Sequence, residues 1–152
     1  MKATDLLKKQ HKEVKALFKK IEDAEGARER RQQLMNEIAI ALEGHTVIEE
    51  EMFYPAVRGL ETQRAEEIVL EAFEEHHVVK LVLGELPNVD PEDERFEAKM
   101  TVLSELVEHH ADEEEKEMFK LAQKLGKDEL EALGERMRER FEAFRRPGSQ
   151  AA

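Results

Sequence analysis

The segment His45-Thr46-Val47-Ile48-Glu49 has a counterpart 65 residues further along the chain, His110-Ala111-Asp112-Glu113-Glu114. The same offset relates His11 to His76, so each half of the repeat contains a lone histidine followed by a His-x-x-x-Glu segment. A repeated unit of this length indicates a helical hairpin that is used twice. Two such hairpins packed together predict an all-α, up-down-up-down four-helix bundle.

Apolar residues recur at helical spacing through the chain and predict four long helices and a shorter fifth. The composition favours helices over strands, because 39% of the residues are charged and few apolar residues alternate with a period of two. Pro55 lacks an amide hydrogen, so we expect the second helix to end or kink near Tyr54. The predicted helices run from Thr4 or Asp5 to 23, and over 28–60, 63–86, 92–125 and 127–144. The predicted domain organisation is a four-helix bundle over 1–126, a C-terminal helix packed on it over 127–144, and a flexible tail over 145–152.

Helical phase places one histidine of each long helix in or beside its apolar stripe. Residues four apart lie on one face of an α-helix. His45 and Glu49 therefore share the stripe of the second helix, and His110 and Glu114 share that of the fourth. The candidate metal ligands are His11, His45, Glu49, His76, His110 and Glu114, whereas His77 and His109 project outward.

The two interior glutamates need a positive partner. An ionised carboxylate in an apolar seam costs roughly several kcal/mol unless it is paired or bound to a cation. Glu49 and Glu114 would also repel each other, and no lysine or arginine lies on the inner stripes near them. A pair of divalent or trivalent metal ions would satisfy both. Imidazole and carboxylate ligands suit iron, zinc or manganese, and the absence of thiolate ligands argues against a structural zinc site.

Single parts of this pattern are ordinary features of helical proteins. A lone interior histidine is more often a hydrogen-bonded core residue than a ligand, and three glutamates at 113–115 would by themselves form a solvated face. The complete set, with one interior histidine per helix, favours the metal site. Tyr54 lies off the stripe by phase and is not expected to reach a metal. The Met-Phe pairs at 52–53 and 118–119, the second displaced by one inserted residue, are expected to fill the core.

Charge and composition exclude several classes of function. The net charge of −12 and the sequence pI near 5.0 predict repulsion from phosphate backbones and from anionic membranes, so neither nucleic acid nor membrane is an expected partner. The sequence contains no cysteine, which excludes disulfides, Fe–S clusters and thiol chemistry. It has no secretory signal core and no apolar run of membrane-spanning length, so we expect a soluble cytoplasmic protein.

Four short segments carry a family resemblance: Leu6-Leu7-Lys8-Lys9-Gln10-His11, 45–49, Glu75-His76 and 110–114. As a set, covering about residues 4–125, they resemble the hemerythrin-like, or HHE cation-binding, family. The resemblance implies a non-haem di-iron centre in which an oxo or hydroxo group joins two irons. On the matching positions, it implies that Glu49 and Glu114 bridge the irons and that His11, His45, His76 and His110 are terminal ligands.

One element of the family pattern is missing. Oxygen-carrying hemerythrins have five histidine ligands, two of them four residues apart on the third helix, whereas the positions four from His76 are Ala72 and Lys80. Glu75, His77 or a water molecule could take the place of the missing ligand. An open position makes reversible O2 carriage less expected and favours redox chemistry with peroxide, NO or O2. Ferritin-like di-iron proteins use Glu-x-x-His pairs, which the His-x-x-x-Glu order here fits poorly.

The expected function is the binding or sensing of O2 or related small molecules, such as peroxide and NO, by a cytoplasmic di-iron protein. The same ligands would serve an enzyme that detoxifies peroxide or NO, and the sequence does not separate these alternatives. A third class is a helical interaction module that needs no metal and docks a protein partner through its acidic surface and fifth helix. The sequence indicates no particular protein partner.

Overall fold

The computed structural model describes residues 1–146, which contain helices and no strand. The α-helices are α1 (Ala3–Asp23), α2 (Arg28–Ile48), α3 (Tyr54–Arg58), α4 (Gln63–Glu85), α5 (Glu94–Glu113), α6 (Phe119–Ala122) and α7 (Lys127–Arg145). Two π-helical segments, Glu49–Phe53 and Glu114–Met118, join α2 to α3 and α5 to α6, so each pair is one continuous helix. With α1 and α4, these two long helices form the predicted bundle, which confirms the all-α fold class. Residues 147–152 of the predicted tail lie outside the described residues.

Helix ends differ from their predicted positions by up to three residues. The first helix begins at Ala3, so Thr4 and Asp5 lie inside its first turn and cap nothing. The long helix that carries α5 begins at Glu94, because the Asp93 side chain accepts a hydrogen bond from the amide of Arg95 and caps the helix. These shifts leave the phase of the bundle-lining residues unchanged.

Two apolar clusters fill the bundle and leave a polar layer between them. One cluster includes Leu7, Ile48, Phe53, Val69 and Met118. The other includes Val14, Leu34, Ile38, Val79 and Leu103. In α1, His11 falls between the two clusters, because Leu7 belongs to one and Val14 to the other. The sequence thereby interrupts the core at one level, and that level holds the candidate site.

The two π-helical segments begin at the glutamates of the two His-x-x-x-Glu motifs. Because Glu49–Phe53 and Glu114–Met118 are related by the same offset of 65, the repeat keeps its register without an insertion. The prediction that the second copy contains an extra residue before its Met-Phe pair is therefore wrong. In the structure Phe53 occupies the position in the repeat that corresponds to Met118, and Tyr54 occupies the position that corresponds to Phe119.

Pro55 neither ends the second long helix nor explains its π segment. The chain remains helical through Pro55, which directly follows Tyr54 after the π segment, and the helix ends at Arg58. Lys120 occupies the corresponding position after the second π segment, so a π turn forms there without a proline. The glutamate, rather than the proline, is the feature that both segments share.

Helix α7 packs across α1 and α2 and approaches them closely at two glycines. A Cβ atom on Gly134 would lie 2.1 Å from the Met1 carbonyl oxygen, and one on Gly44 would lie 2.8 Å from the Phe141 ring. Glycine at these two positions therefore permits the docking of α7. In the described part of the chain, none of the helices combines the length and apolar character that a membrane-spanning helix requires.

Candidate metal centre

The six predicted ligands meet in the polar layer, and none of them is more than 8% exposed. Glu49 and Glu114 lie at the centre. We call His11 and His45 the first half-site, and His76 and His110 the second half-site. All six side chains come from the bundle-lining faces that the repeat and the helical phase select together.

Each histidine turns its Nε2 atom toward the two glutamates. In the first half-site, His11 Nε2 lies 3.2 Å from Glu114 Oε1, and His45 Nε2 lies 3.3 Å from Glu49 Oε1. In the second half-site, His76 Nε2 lies 3.0 Å from Glu49 Oε1. His110 Nε2 lies 3.4 Å from Glu114 Oε2. Both carboxylates therefore contact histidines of both half-sites, which is the arrangement that a bridging carboxylate needs.

The opposite ring nitrogen of each histidine has its own partner. His11 Nδ1 lies 2.8 Å from Glu115, and His76 Nδ1 lies 2.8 Å from Glu50. His110 Nδ1 lies 2.8 Å from Glu75, and His45 Nδ1 lies 2.7 Å from Gln10 Oε1. These acceptors hold a proton on Nδ1 and leave the Nε2 lone pair facing the centre of the site. The tautomer that a metal ligand requires is thereby fixed in all four rings.

Tyr54 is fully buried and places its hydroxyl among the ligand atoms of the second half-site. The hydroxyl donates a hydrogen bond of 2.9 Å to Glu114 Oε2 and lies 3.0 Å from His76 Nε2 and 3.1 Å from His110 Nε2. Those two nitrogens are 3.2 Å apart. Ligands at about 2.1 Å from one ion in octahedral geometry are separated by about 3.0 Å. The phenol oxygen thus has the spacing of a neighbouring ligand.

Several central atoms are buried without a hydrogen bond. Within residues 1–146, no hydrogen-bond partner faces His11 Nε2, His45 Nε2, either oxygen of Glu49 or Glu114 Oε1. The contacts of 3.2–3.3 Å between these histidines and glutamates are not oriented for hydrogen bonding. Buried polar atoms are almost always satisfied in native proteins, and a cation would satisfy all five. Imidazole nitrogens and carboxylate oxygens without sulfur suit iron, zinc or manganese, so the residues fit a metal.

Two overlapping donor groups divide the site. One consists of His11, His45, Glu49 and Glu114, and its donor atoms lie within 4.8 Å of one another. The other consists of Glu49, His76 and His110, with donor atoms equally close. Because Glu49 belongs to both groups, the arrangement can hold two neighbouring cations that share a carboxylate.

Comparison with known proteins agrees with this geometry. Residues 2–122 match the family described as hemerythrin HHE cation binding domain. The chain belongs to the hemerythrin HHE cation-binding family. It is 31% identical to the uncharacterized proteins Rv2633c of Mycobacterium tuberculosis and Mb2666c of Mycobacterium bovis, over 95% of this chain and 88% of each relative.

A solved structure resembles this HHE domain along nearly its whole length. It is the crystal structure of a hemerythrin HHE cation binding domain-containing protein, the Rv2633c homolog from Mycobacterium kansasii. The two structures superpose with a TM-score of 0.84 at 31% sequence identity, covering 99% of this chain and 96% of the other. The family resemblance predicted from the sequence is therefore confirmed, and so is the helical fold that it implies.

Charge coupling inside this HHE domain shifts the pKa values of its central groups. Burial lowers the pKa of His11, His76 and His110, but hydrogen bonds and charges from the surrounding glutamates outweigh burial and raise all three pKa values, that of His110 most clearly. Burial raises the pKa of Glu49, but the histidines outweigh it and hold that pKa well below its usual range. Burial and the neighbouring carboxylates raise the pKa of Tyr54 well above its ordinary value. In the metal-free protein the pKa values of these three histidines and of Glu49 thus move in opposite directions, because each group favours the charged form of the other.

Sequence reasoning missed Tyr54, because it assumed that the second helix keeps the α-helical period through residue 54. In an α-helix, residues five apart differ by about 140° around the axis. The π segment that begins at Glu49 forms hydrogen bonds between residues five apart and brings Tyr54 back above Glu49. The five-residue spacing from glutamate to aromatic ring recurs from Glu114 to Phe119. Alignment of the repeat without a gap would therefore have matched Tyr54 with Phe119 and indicated that both rings lie near the glutamates.

The two side chains considered for the place of the missing fifth histidine both lie away from the centre of the site. Glu75 hydrogen-bonds to His110 Nδ1 and therefore does not face the centre of the site. His77 is exposed on the outside of the bundle, as its helical phase predicts. Tyr54, rather than either of these residues, stands beside the ligand atoms of the second half-site.

Proposed function

We propose that this HHE domain holds two non-haem irons, joined by an oxo or hydroxo group, and binds or senses O2 or a related small molecule such as peroxide or NO in the cytoplasm. In this proposal Glu49 and Glu114, which contact histidines of both half-sites, would hold both ions, and the histidines of each half-site would hold one of them. Tyr54 is an additional donor beside the second half-site. Iron so held would supply redox chemistry and Lewis acidity.

The observation that carries the proposal is the set of buried donor atoms that lack hydrogen-bond partners within the described residues. Five such atoms from His11, His45, Glu49 and Glu114 face one another in a layer between two apolar clusters. A structural role for these side chains would require partners for them, because an unpaired buried polar atom costs about 1–3 kcal/mol. Metal binding gives each atom a partner and also accounts for the Nδ1 contacts that orient every ring.

The size of the cleft beside the second half-site supports a very small ligand. A cleft between α4 and α5 reaches His110 and Glu114 and has room for about 10 Å³, which is roughly the volume that one water molecule needs. In the described part of the chain, larger grooves of about 290 to 400 Å³ lie elsewhere on the surface, and none of the six predicted ligands lines them. A cleft of this size favours diatomic molecules and peroxide over an organic substrate.

Tyr54 gives specific support to an enzymatic alternative, the detoxification of peroxide or NO at the same site. Its hydroxyl is a buried proton donor within hydrogen-bond distance of Glu114 and of two histidines. Such a group can transfer a proton to a small molecule during turnover, and positioned general acids contribute typically about 10²–10⁴-fold to rates. Repeated turnover that is faster than turnover by free iron would distinguish the enzyme from a binding protein.

The test is the spectral response of the iron-loaded protein to its expected ligands. Addition of O2 to the reduced protein, or of azide, NO or peroxide, is expected to change the near-ultraviolet and visible absorption bands of the iron centre. Variant Glu49→Ala should lose the response because it removes a carboxylate that contacts both half-sites. An iron-loaded protein whose spectrum ignores all four molecules would exclude the binding and sensing function.

A further inference from the structure

The internal repeat also relates the residues that surround the ligands. Glu115 contacts Nδ1 of His11 at 2.8 Å. The residue 65 positions earlier, Glu50, contacts Nδ1 of His76 at the same distance, and His76 is the counterpart of His11. Each half-site therefore has one histidine whose outer nitrogen faces a glutamate from the opposite hairpin. To this extent the two half-sites have the same surroundings.

The repeat is broken at the second outer partner. His45 Nδ1 donates a hydrogen bond of 2.7 Å to the amide oxygen of Gln10. His110 Nδ1, the counterpart of His45, lies 2.8 Å from the carboxylate of Glu75, the counterpart of Gln10. The position and distance are preserved, but a neutral amide in the first half-site has become a carboxylate in the second.

A second break in the repeat lies on the other side of the rings. Phe119 stacks on His11, with ring centroids 6.2 Å apart and an angle of 6° between the planes. Its counterpart Tyr54 brings a hydroxyl to 3.0 Å from His76 Nε2. The first break gives the second half-site an outer carboxylate where the first half-site has a neutral amide, and the second break gives it an additional hydroxyl oxygen.

A carboxylate on the outer nitrogen strengthens a histidine ligand more than an amide does. It makes the imidazole a more basic donor and places a negative charge near the ion, and removing such a partner typically lowers metal affinity by about 10–100-fold. The amide of Gln10 orients His45 equally well but adds no charge. The difference between the half-sites is thus one of affinity, since ring orientation is fixed in both.

We propose that the two half-sites bind metal unequally, that the second half-site fills first, and that the pair Gln10 and Glu75 sets this order. The inference rests on the proposed di-iron function and deepens it. It makes Glu75 and Gln10 positioning residues that act through His110 and His45. The protein would accordingly exist as a form with one ion, in the second half-site, when metal is scarce.

The experiment is an anaerobic calorimetric titration of the metal-free protein with Fe²⁺. Two binding steps are expected, with dissociation constants that differ by about 10–100-fold. Variant His110→Gln should abolish the tighter step, and His45→Gln should abolish the weaker one. If the tighter step instead disappears in His45→Gln, the proposed order is wrong.

Exchange of the two outer residues tests their role directly. Glu75→Gln should weaken the tighter step by about tenfold or more, and Gln10→Glu should strengthen the weaker step by a similar factor. In the protein that carries both changes, the order should invert, so that His45→Gln now removes the tighter step. General loss of structure cannot invert the order, and Gln10→Glu by itself decides the matter if Glu75→Gln fails to fold.

Glu115→Gln is the matched control, because it removes the same kind of carboxylate from the first half-site. It should lower the affinity of the weaker binding step and so increase the ratio of the two dissociation constants, whereas Glu75→Gln should decrease that ratio. Equal affinities in the natural sequence, or an unchanged ratio in Glu75→Gln, would overturn the inference while leaving the di-iron proposal intact. Failure of the natural sequence to bind any Fe²⁺ would instead overturn the proposed function and the inference with it.

Discussion

Replacement of Tyr54 by phenylalanine isolates the contribution of one hydroxyl group to the centre. In the metal-free protein that hydroxyl donates a hydrogen bond of 2.9 Å to Glu114 and is fully buried. Because burial and the nearby carboxylates hold the pKa of Tyr54 well above its ordinary value, the group stays protonated and keeps donating at any working pH. Phenylalanine keeps the ring and its contact with Phe73, so the change removes the donor and little else.

The expected magnitude follows from leaving Glu114 Oε2 without its tyrosine donor. Loss of one partner of a buried hydrogen bond costs about 1–3 kcal/mol in the free energy of unfolding. For a chain of this length, that loss corresponds to a fall of roughly 3–9 °C in melting temperature. The iron-loaded variant should also lose any visible absorption band that arises from charge transfer between a phenolate and ferric iron.

Thermal and urea unfolding of the chelator-treated protein measures the first effect, and absorption spectroscopy of the iron-loaded protein measures the second. Phe119→Tyr is the complementary variant, because it places a hydroxyl at the corresponding position of the first half-site. Equal stability of Tyr54→Phe and the natural sequence, together with an unchanged iron spectrum, would refute the role assigned to this hydroxyl.

Three further predictions concern the histidines, the bridging position and helix α7. The raised pKa of His110 stabilises the metal-free protein. This contribution is complete below the ordinary pKa of 6.5 and is lost as the pH rises through the raised pKa. Urea unfolding in the presence of chelator should therefore give a lower free energy of unfolding at pH 9 than at pH 6, and the reverse order would contradict this reasoning. Glu49→Ala should reduce iron content in both half-sites, and elemental analysis that finds full loading would contradict its bridging role. Gly134→Ala should lower the free energy of unfolding by about 1–3 kcal/mol through overpacking. The control Gly84→Ala has open space around its Cβ position and should leave the free energy of unfolding unchanged or raise it by up to about 1 kcal/mol. Equal effects of the two variants in urea unfolding would argue against the close packing of α7.

The fold and the six candidate ligands could be predicted because two regularities agree. The α-helical period places His45 with Glu49 and His110 with Glu114 on inner faces, and the repeat selects the same residues without reference to that period. Tyr54 could not be found in this way, because a π segment changes the period immediately after Glu49. A pattern that assumes one period misplaces every residue beyond such a segment.

The outer partners of the histidines escaped prediction for a different reason. Glu50, Glu75 and Glu115 occur in runs of charged residues, which at the level of sequence are indistinguishable from a solvated helical face. Only the packing of the opposite helix brings each carboxylate to an Nδ1 atom. Interactions between helices of this kind depend on the rotation and tilt of both elements, which residue spacing along one helix does not specify.

The central claim is that buried imidazole and carboxylate groups of this HHE domain hold a pair of irons. Metal analysis combined with an ultraviolet–visible spectrum, on protein produced with iron and purified without chelator, tests it most directly. The account predicts about two irons per chain and near-ultraviolet bands of an oxo-bridged ferric pair. Protein that carries no metal, or zinc at low occupancy with an unchanged fold, would contradict it and would favour a helical interaction module that needs no metal.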